Sequence, residues 1–127
     1  MKVIKLKNIE YYSEDNGRST HLSLREFNEY VILDLVKSIT SVKNFSLEVF
    51  NFCYYNSYYK GESTPLFSNE TKEIFGKYNI ITNQFSYYYY DIKFIEDKNN
   101  IRIGFLLEKE ANDSFESLLT ELTNYNR

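Results

Sequence analysis

The chain has 127 residues, of which 43% are hydrophobic and 26% charged, with four glycines and one proline, a composition typical of a single globular domain. Its formal net charge is −3, and residues 61–127 hold eleven acidic and seven basic residues. A net acidic chain without a lysine or arginine cluster is a poor match to a nucleic-acid backbone, and the single cysteine, Cys53, excludes an internal disulfide framework.

The start of the chain, MKVIKLKNIEYY, spreads its lysines among apolar residues and lacks the apolar core of a signal peptide. No apolar run approaches the roughly 20 residues that a membrane-spanning helix needs. A single cysteine also fits a reducing compartment. We therefore expect a cytoplasmic protein whose partners include neither a membrane nor a nucleic acid.

The first half of the chain carries a strand signal followed by a helix signal. Lys2 to Tyr12 predicts a strand, which ends at a turn cluster that begins with Glu14. Ser23 and Glu26 match a capping box, in which each side chain satisfies the backbone amide of the other residue. A helix is therefore predicted from Leu24 to about Thr40. Its apolar positions at helical spacing are Leu24, Phe27, Val31, Ile32, Leu35, Val36 and Ile39.

The middle and the end of the chain carry further elements. Val42 to Tyr55 is rich in β-branched and aromatic residues and predicts a strand, which a loop from Asn56 to Pro65 follows. Ser68 to Tyr78 is compatible with a short helix. Asp113 can cap a final helix. The apolar stripe of that helix is Phe115, Leu118, Leu119, Leu122 and Tyr125.

A β-hairpin is predicted over residues 84–108, because two apolar and aromatic runs flank a short polar cluster. A connection of two or four residues pairs Glu96 with Ile101 and places the apolar side chains of both strands on one face. A slip by one residue would expose that whole set, which supports the pairing. In this register Tyr89 lies opposite Glu108, so the other face is aromatic and charged together.

These elements have the order β-α-β-(α)-β-β-α. They predict an α+β domain with a mainly antiparallel sheet, two main helices and an optional short third helix. Residues 1–127 are expected to form one domain, because no repeat, linker or low-complexity segment beyond the four consecutive tyrosines interrupts the chain.

Few side chains in this sequence could carry catalysis. His21 and Cys53 are the only imidazole and the only thiol, so they form the sole cysteine–histidine pair available for nucleophilic catalysis. A core thiol and a surface histidine explain these residues more simply, and a metal site would need more soft ligands. The four scattered glycines provide no phosphate-binding loop. We therefore expect a protein that is not an enzyme and that uses no metal and no cofactor.

Tyrosine is unusually frequent, with 13 residues, eight of which form two clusters. The clusters are Tyr54, Tyr55, Tyr58 and Tyr59, and Tyr87 to Tyr90. One interpretation is codon bias in an AT-rich genome combined with ordinary cross-strand packing. The other is a recognition surface, because tyrosine offers a large contact area and a polar tip at a low entropy cost. Base stacking would require the basic groove of single-strand binders, which the sequence lacks.

Carboxylates are concentrated around the last predicted helix, in an acidic group that only Lys109 interrupts: Glu108, Glu110, Asp113, Glu116 and Glu121. Helix-dipole complementarity near Asp113 and a solvated outer face account for part of this cluster. The hairpin register also places Tyr89 beside Glu108, and aromatic anchors beside carboxylates suit a basic protein surface. The predicted partner-binding residues are Tyr58, Tyr59, Tyr87, Tyr89, Glu108, Glu110, Asp113 and Glu116.

In its size, its acidic charge and its face of Tyr87, Tyr89, Glu108 and Glu110, the chain resembles in overall profile the immunity proteins of bacterial polymorphic and contact-dependent toxin systems. The resemblance implies binding to a cognate toxin, commonly a nuclease, whose cationic cleft the carboxylates and tyrosines would block. Two other interpretations stay open: a phage- or plasmid-borne inhibitor or adaptor of host machinery, and a small-ligand domain with an aromatic pocket. A homodimer formed through the hairpin edge is also compatible with the sequence.

Overall fold

A computed structural model of the chain describes residues 1–15, 20–48, 68–80, 84–96 and 98–125. These residues form β1 (Val3–Asp15), β2 (Thr20–Ile32), the 3-10 helix Leu33–Leu35, β3 (Val36–Ile39), β4 (Lys43–Glu48), α1 (Asn69–Lys77), β5 (Gln84–Phe94), β6 (Ile101–Phe105) and α2 (Glu108–Asn124). The predicted α+β class and its antiparallel strand pairing are confirmed.

Strand β5 is the central strand of the larger sheet. It pairs with β3, β4 and β6, so three strands depend on it for backbone hydrogen bonds. The pairing with β3 is antiparallel, with Ile39 opposite Ile92, and an irregularity between Val36 and Ser38 interrupts its register. Such an irregularity in a short strand at the end of a sheet disfavours pairing with a further strand. β1 and β2 form a separate two-stranded sheet.

The helix predicted from Leu24 to Thr40 is wrong, because these residues form most of β2, the 3-10 helix and β3. Ser23, the proposed N-cap, is a fully buried strand residue. The spacing of four residues between Phe27 and Val31 is even, and an even spacing also places side chains on one face of a strand. Val31 is buried and Tyr30 is 64% exposed, as the alternation of a strand requires.

The chain divides into two compact units, of which the first comprises residues 1–9, 26–45 and 86–127. Its core joins the first three strands to β5, β6 and α2. The buried side chains are Leu6, Val31, Leu33, Val36, Tyr90, Ile92, Ile103, Phe105, Ala111 and Leu118. The face of the β5–β6 hairpin that the sequence predicts to be apolar is therefore the face that packs into this core.

The second unit comprises residues 10–25 and 46–85. The short helix compatible with the sequence is confirmed as α1, and the Ser68 hydroxyl caps it by accepting a hydrogen bond from the backbone amide of Thr71 at 3.2 Å. The Thr71 hydroxyl oxygen, fully buried, accepts a hydrogen bond from the backbone amide of Leu24 at 3.0 Å. The Ser68 side chain thus satisfies an amide at the start of α1, and the Thr71 side chain satisfies an amide of β2.

In the first unit, one side chain of β1 satisfies the outer backbone edge of β6. The side-chain amide of Asn8 donates to the carbonyl of Arg102 at 2.9 Å, and its oxygen accepts from the backbone amide of Gly104 at 2.7 Å. Asn8 is only 3% exposed, so water does not compete effectively for these groups. The side chain of Asn8 therefore takes the place of a neighbouring strand at this edge.

Tyr87 lies across the backbone of Gly104. Its hydroxyl donates to the carbonyl of Ile9 at 2.5 Å, and the ring occupies the space that a side chain at position 104 would fill. A Cβ atom built there would lie 1.7 Å from the tyrosine oxygen and 2.4 Å from the Ile9 carbonyl oxygen. A close approach of ring and backbone therefore requires glycine at this position.

Tyr90 joins β5 to α2. Its ring is fully buried and lies 6.2 Å from that of Phe105 and 5.7 Å from that of Phe115, measured between centroids. Its hydroxyl shares a hydrogen bond of 2.8 Å with the hydroxyl of Ser114. Burial raises the pKa of Tyr90 to about 12, although the bond to Ser114 acts in the opposite direction.

We expect Tyr90 to destabilise the fold at alkaline pH. Its raised pKa means that the neutral hydroxyl stabilises the fold fully below the ordinary value of 10.0. That stabilisation is lost as the pH rises to about 12, a loss of roughly 2–3 kcal/mol at about 1.4 kcal/mol per pH unit. The free energy of unfolding should fall more steeply in this window for the wild type than for Tyr90→Phe. Equal slopes would contradict the prediction.

Candidate protein-binding surface

The β5–β6 hairpin forms with its predicted apolar face but in a different register. Ile101 pairs with Ile92 in place of Glu96. The residue opposite Ile101 therefore moves by four positions along the first strand of the hairpin. An even shift keeps every side chain on its predicted face. The cause is a longer connection, because residues 95–100 lie between the two strands. The predicted face is thus confirmed, and the predicted pairs are wrong.

Tyr89 lies opposite Gly104, so the predicted pairing of Tyr89 with Glu108 is wrong. The guanidinium carbon of Arg102 lies 3.9 Å from the centroid of the Tyr89 ring, which is a cation–π contact. Arg102 Nε also donates to the carboxylate of Asp91 at 3.1 Å. The half-buried Tyr89 ring is therefore covered in part by a cation instead of lying beside a carboxylate.

Tyr87 is part of the internal packing. It is 2% exposed, and its ring centroid lies 5.5 Å from that of Phe45 and 6.3 Å from that of Tyr89. The prediction that Tyr87 is an exposed partner-binding residue is wrong. Strand alternation does direct it to the face opposite Tyr90, but Ile9 and Phe45 cover its position there.

Helix α2 begins several residues before the predicted start. Its N-cap is Leu107, which offers no side-chain hydrogen bond, and Glu108 and Glu110 lie in the first turn. Their negative charge complements the positive end of the helix dipole. Asp113 lies inside the helix, where its carboxylate pairs with Lys109 at 2.7 Å. The capping role predicted for Asp113 is therefore wrong.

The negative charge of the chain is concentrated on α2. Residues 108–124 hold five carboxylates and one lysine, a net charge of −4, whereas the whole chain carries −3. The rest of the chain is therefore net positive by one. Glu108, Glu110 and Glu116 are exposed, and within the described part of the chain no ion pair involves them. Their charge is thus available to a partner.

The predicted tyrosines and carboxylates do not form one surface. Tyr90 and Ala111 pack in the same core, so α2 lies on the face of the β5–β6 hairpin to which Tyr90 points. Tyr89, the preceding residue in the strand, points to the other face. The exposed carboxylates on the outer side of α2 are therefore separated from Tyr89 by the hairpin itself.

Leu119 is an exposed apolar residue that the sequence assigns to the buried stripe. The stripe that packs into the core comprises Ala111, Phe115, Leu118, Leu122 and Tyr125. Leu119 lies at its edge, is 45% exposed, and follows Glu116 by three residues, so the two side chains are neighbours on the helix surface. Its position at the edge of the apolar stripe was the feature of the sequence that could have indicated this exposure. We define the acidic face of α2 as Glu108, Glu116 and Leu119, which lie within about 80° of one another around the helix axis, whereas Glu110 lies on the opposite side of the helix.

Several residues singled out from the sequence lie outside the described residues. They include Tyr58, Tyr59 and Cys53. The strand predicted from Val42 to Tyr55 is confirmed by β4 as far as Glu48, and its residues 49–55 also lie outside the described residues. His21 lies in β2, and its side chain is also outside the description. Among the residues that the structure does describe, no group of three or more histidine, cysteine, aspartate or glutamate side chains could hold a metal ion.

No protein-family model, curated protein sequence or solved structure matches this chain. In the described ranges, neither helix has the length and apolar character needed to cross a membrane.

Proposed function

We propose that this protein is an inhibitor of the immunity type, which binds and blocks a basic cognate toxin through the acidic face of α2. The observation that carries the proposal is the concentration of negative charge on α2, which has a net charge of −4 in a chain whose formal net charge is −3. Two of its carboxylates, Glu108 and Glu116, are exposed on the acidic face and, among the described residues, outside any ion pair. Such a face attracts a basic partner and orients it before contact.

Inhibition by the acidic face needs no reaction in the inhibitor. In a nuclease, a cationic cleft holds the phosphates of the substrate, and carboxylates seated there would occupy the same positive charges. Leu119 adds apolar contact area at the border of the carboxylates, where a partner can exclude water. Tyr90 and Ser114 hold α2 on the sheet, so the face is presented by a rigid element and little ordering is required on binding.

Charge reversal on α2 should abolish protection against the toxin. We expect Glu108→Lys combined with Glu116→Lys to weaken binding at least about 100-fold, because close charge pairs across an interface contribute roughly 1.5 kcal/mol or more each. The measurement is titration calorimetry against the basic protein that co-purifies from the native lysate or is encoded beside this gene. Survival of toxin-exposed cells that produce each variant is the second readout.

The matched control reverses the same number of charges away from α2. Glu73→Lys combined with Glu96→Lys changes two exposed carboxylates, one on α1 and one after β5, and should leave affinity and protection within about threefold. Full protection by the α2 variant would remove the acidic face from the mechanism. Retained binding without protection against any toxin would favour an inhibitor or adaptor of host machinery.

A further inference from the structure

A second exposed surface lies on the first two strands. Lys5 and Lys7 on β1 are exposed, Val3 beside them is 52% exposed, and Tyr30 on β2 is 64% exposed. In the described part of the chain, no ion pair involves either lysine. We define the basic face as Val3, Lys5, Lys7 and Tyr30. It combines positive charge with exposed apolar and aromatic side chains.

Strand geometry places these four side chains on one side of the two-stranded sheet. The residues that alternate with them, such as Val31, are buried in the core. The backbone amide of Leu33 donates to the carbonyl of Lys2 at 3.0 Å. An antiparallel ladder that continues regularly from this bond places Tyr30 opposite Lys5, so the aromatic ring lies among the lysines.

The basic face and the acidic face of α2 belong to the same compact unit, but they cannot meet within one molecule. Leu6 of β1 and Leu118 of α2 pack in the same core, so each element turns its outer side away from that core. The two elements contact each other at one end, where Lys2 Nζ lies 2.7 Å from the carboxylate of Glu121. Surfaces of opposite charge that point away from a shared core can be brought together only by two molecules.

We propose that the basic face of one molecule binds the acidic face of α2 on a second copy of the chain. In this contact, Lys5 and Lys7 meet carboxylates, and Tyr30 supplies apolar area against Leu119. The two molecules use different surfaces, so the contact is head-to-tail and adds further copies unless a rotation closes a ring. Exposed ion pairs are weak and screened by salt, so the association is reversible and depends on ionic strength.

Self-association does not depend on the proposed inhibitor function, because it requires no toxin. The two activities do share the acidic face, so a basic partner bound there would displace the second copy. A protein that inhibits nothing could still self-associate, and an inhibitor could still be monomeric. Measurements on the purified chain alone therefore separate the two proposals.

Sedimentation velocity over a range of protein concentrations tests the proposal. At low ionic strength, about 0.01 M, the weight-average mass should rise with concentration, and at about 1 M salt it should return to the monomer mass. Lys5→Glu combined with Lys7→Glu should abolish the rise, and so should Glu108→Lys combined with Glu116→Lys. Lys93→Glu combined with Lys98→Glu, which changes exposed lysines elsewhere, should leave it in place.

Mixing the two interface variants provides the decisive measurement. The first variant has two acidic faces and the second has two basic faces, so neither associates alone, whereas an equimolar mixture should associate as the wild type does. A mixture that stays monomeric, or a wild type that is monomeric at every concentration, would overturn the proposal. Binding of single-stranded nucleic acid or anionic vesicles by the basic face, without self-association, would also overturn it.

Discussion

Replacement of Gly104 by alanine should destabilise the fold by at least about 1–3 kcal/mol, the range for an added methyl group in a packed interior. The new Cβ atom would lie 1.7 Å from the Tyr87 hydroxyl oxygen and 2.2 Å from Cζ of that ring. Movement of the ring would break its hydrogen bond to the Ile9 carbonyl, which is buried. The Ile9 oxygen, 2.4 Å from the same Cβ position, is a backbone atom and cannot rotate aside.

Urea unfolding followed by circular dichroism measures this effect, and Gly76→Ala is the matched control. Gly76 lies in α1, is exposed, and has no atom within 4 Å of a built Cβ, so alanine there should stabilise the helix by up to about 1 kcal/mol. Tyr87→Phe should not rescue Gly104→Ala, because the ring carbon remains. Equal unfolding midpoints for Gly104→Ala and the wild type would contradict the packing around Gly104.

Replacement of Asn8 by alanine should cost about 1–3 kcal/mol for each of the two buried backbone hydrogen bonds that it removes. The backbone groups are the carbonyl of Arg102 and the amide of Gly104, which hydrogen-bond to the Asn8 side chain at the outer edge of β6. The site is buried, so water cannot restore either bond without opening the contact. Asn8→Leu should be equally damaging, because it fills the volume and restores neither bond.

Asn28→Ala is the control for Asn8→Ala, since Asn28 is an exposed residue of β2 and its replacement should change stability by no more than about 0.5 kcal/mol. Hydrogen exchange gives a local readout. In Asn8→Ala the backbone amide of Gly104 should exchange faster than in the wild type, relative to amides elsewhere in the sheet. Unchanged exchange at Gly104 would show that its amide has another partner.

The β5–β6 hairpin shows which part of a strand pair can be predicted from sequence. A period of two residues determines which side chains share a face, so the core positions of Tyr90, Ile92 and Ile103 follow from the pattern. The exact partner depends on the length of the connection, and polar residues in a loop do not encode that length. The register therefore could not be obtained from the alternation alone.

The wrong helix over residues 24–40 has a specific cause. Apolar residues four apart satisfy both a helix and a strand, so that spacing does not discriminate between them. Two polar residues did carry a signal: in a helix, at about 100° per residue, Asn28 and Ser38 would lie within the apolar face. In the strands they are exposed. The β-branched residues of the same stretch also favour a strand.

The acidic surface could be predicted in part. The concentration of carboxylates near residues 108–121 follows from counting, and the structure places them on one helix. Their separation from Tyr89 could not be predicted, because it depends on which face of the hairpin α2 covers. The burial of Tyr87 was equally inaccessible, since its partner Ile9 lies 78 residues away in sequence.

The central position of β5 also governs how the chain can fold during synthesis. β3 and β4 pair with a strand that begins only at Gln84, and Asn8 finds its partners 94 and 96 residues later in the chain. Contacts of such long sequence separation slow folding towards the millisecond to second range of β-rich domains. Until residues beyond Gly104 have left the ribosome, the apolar side of β1 has no complete core in which to pack. The risk of aggregation is greatest during this period.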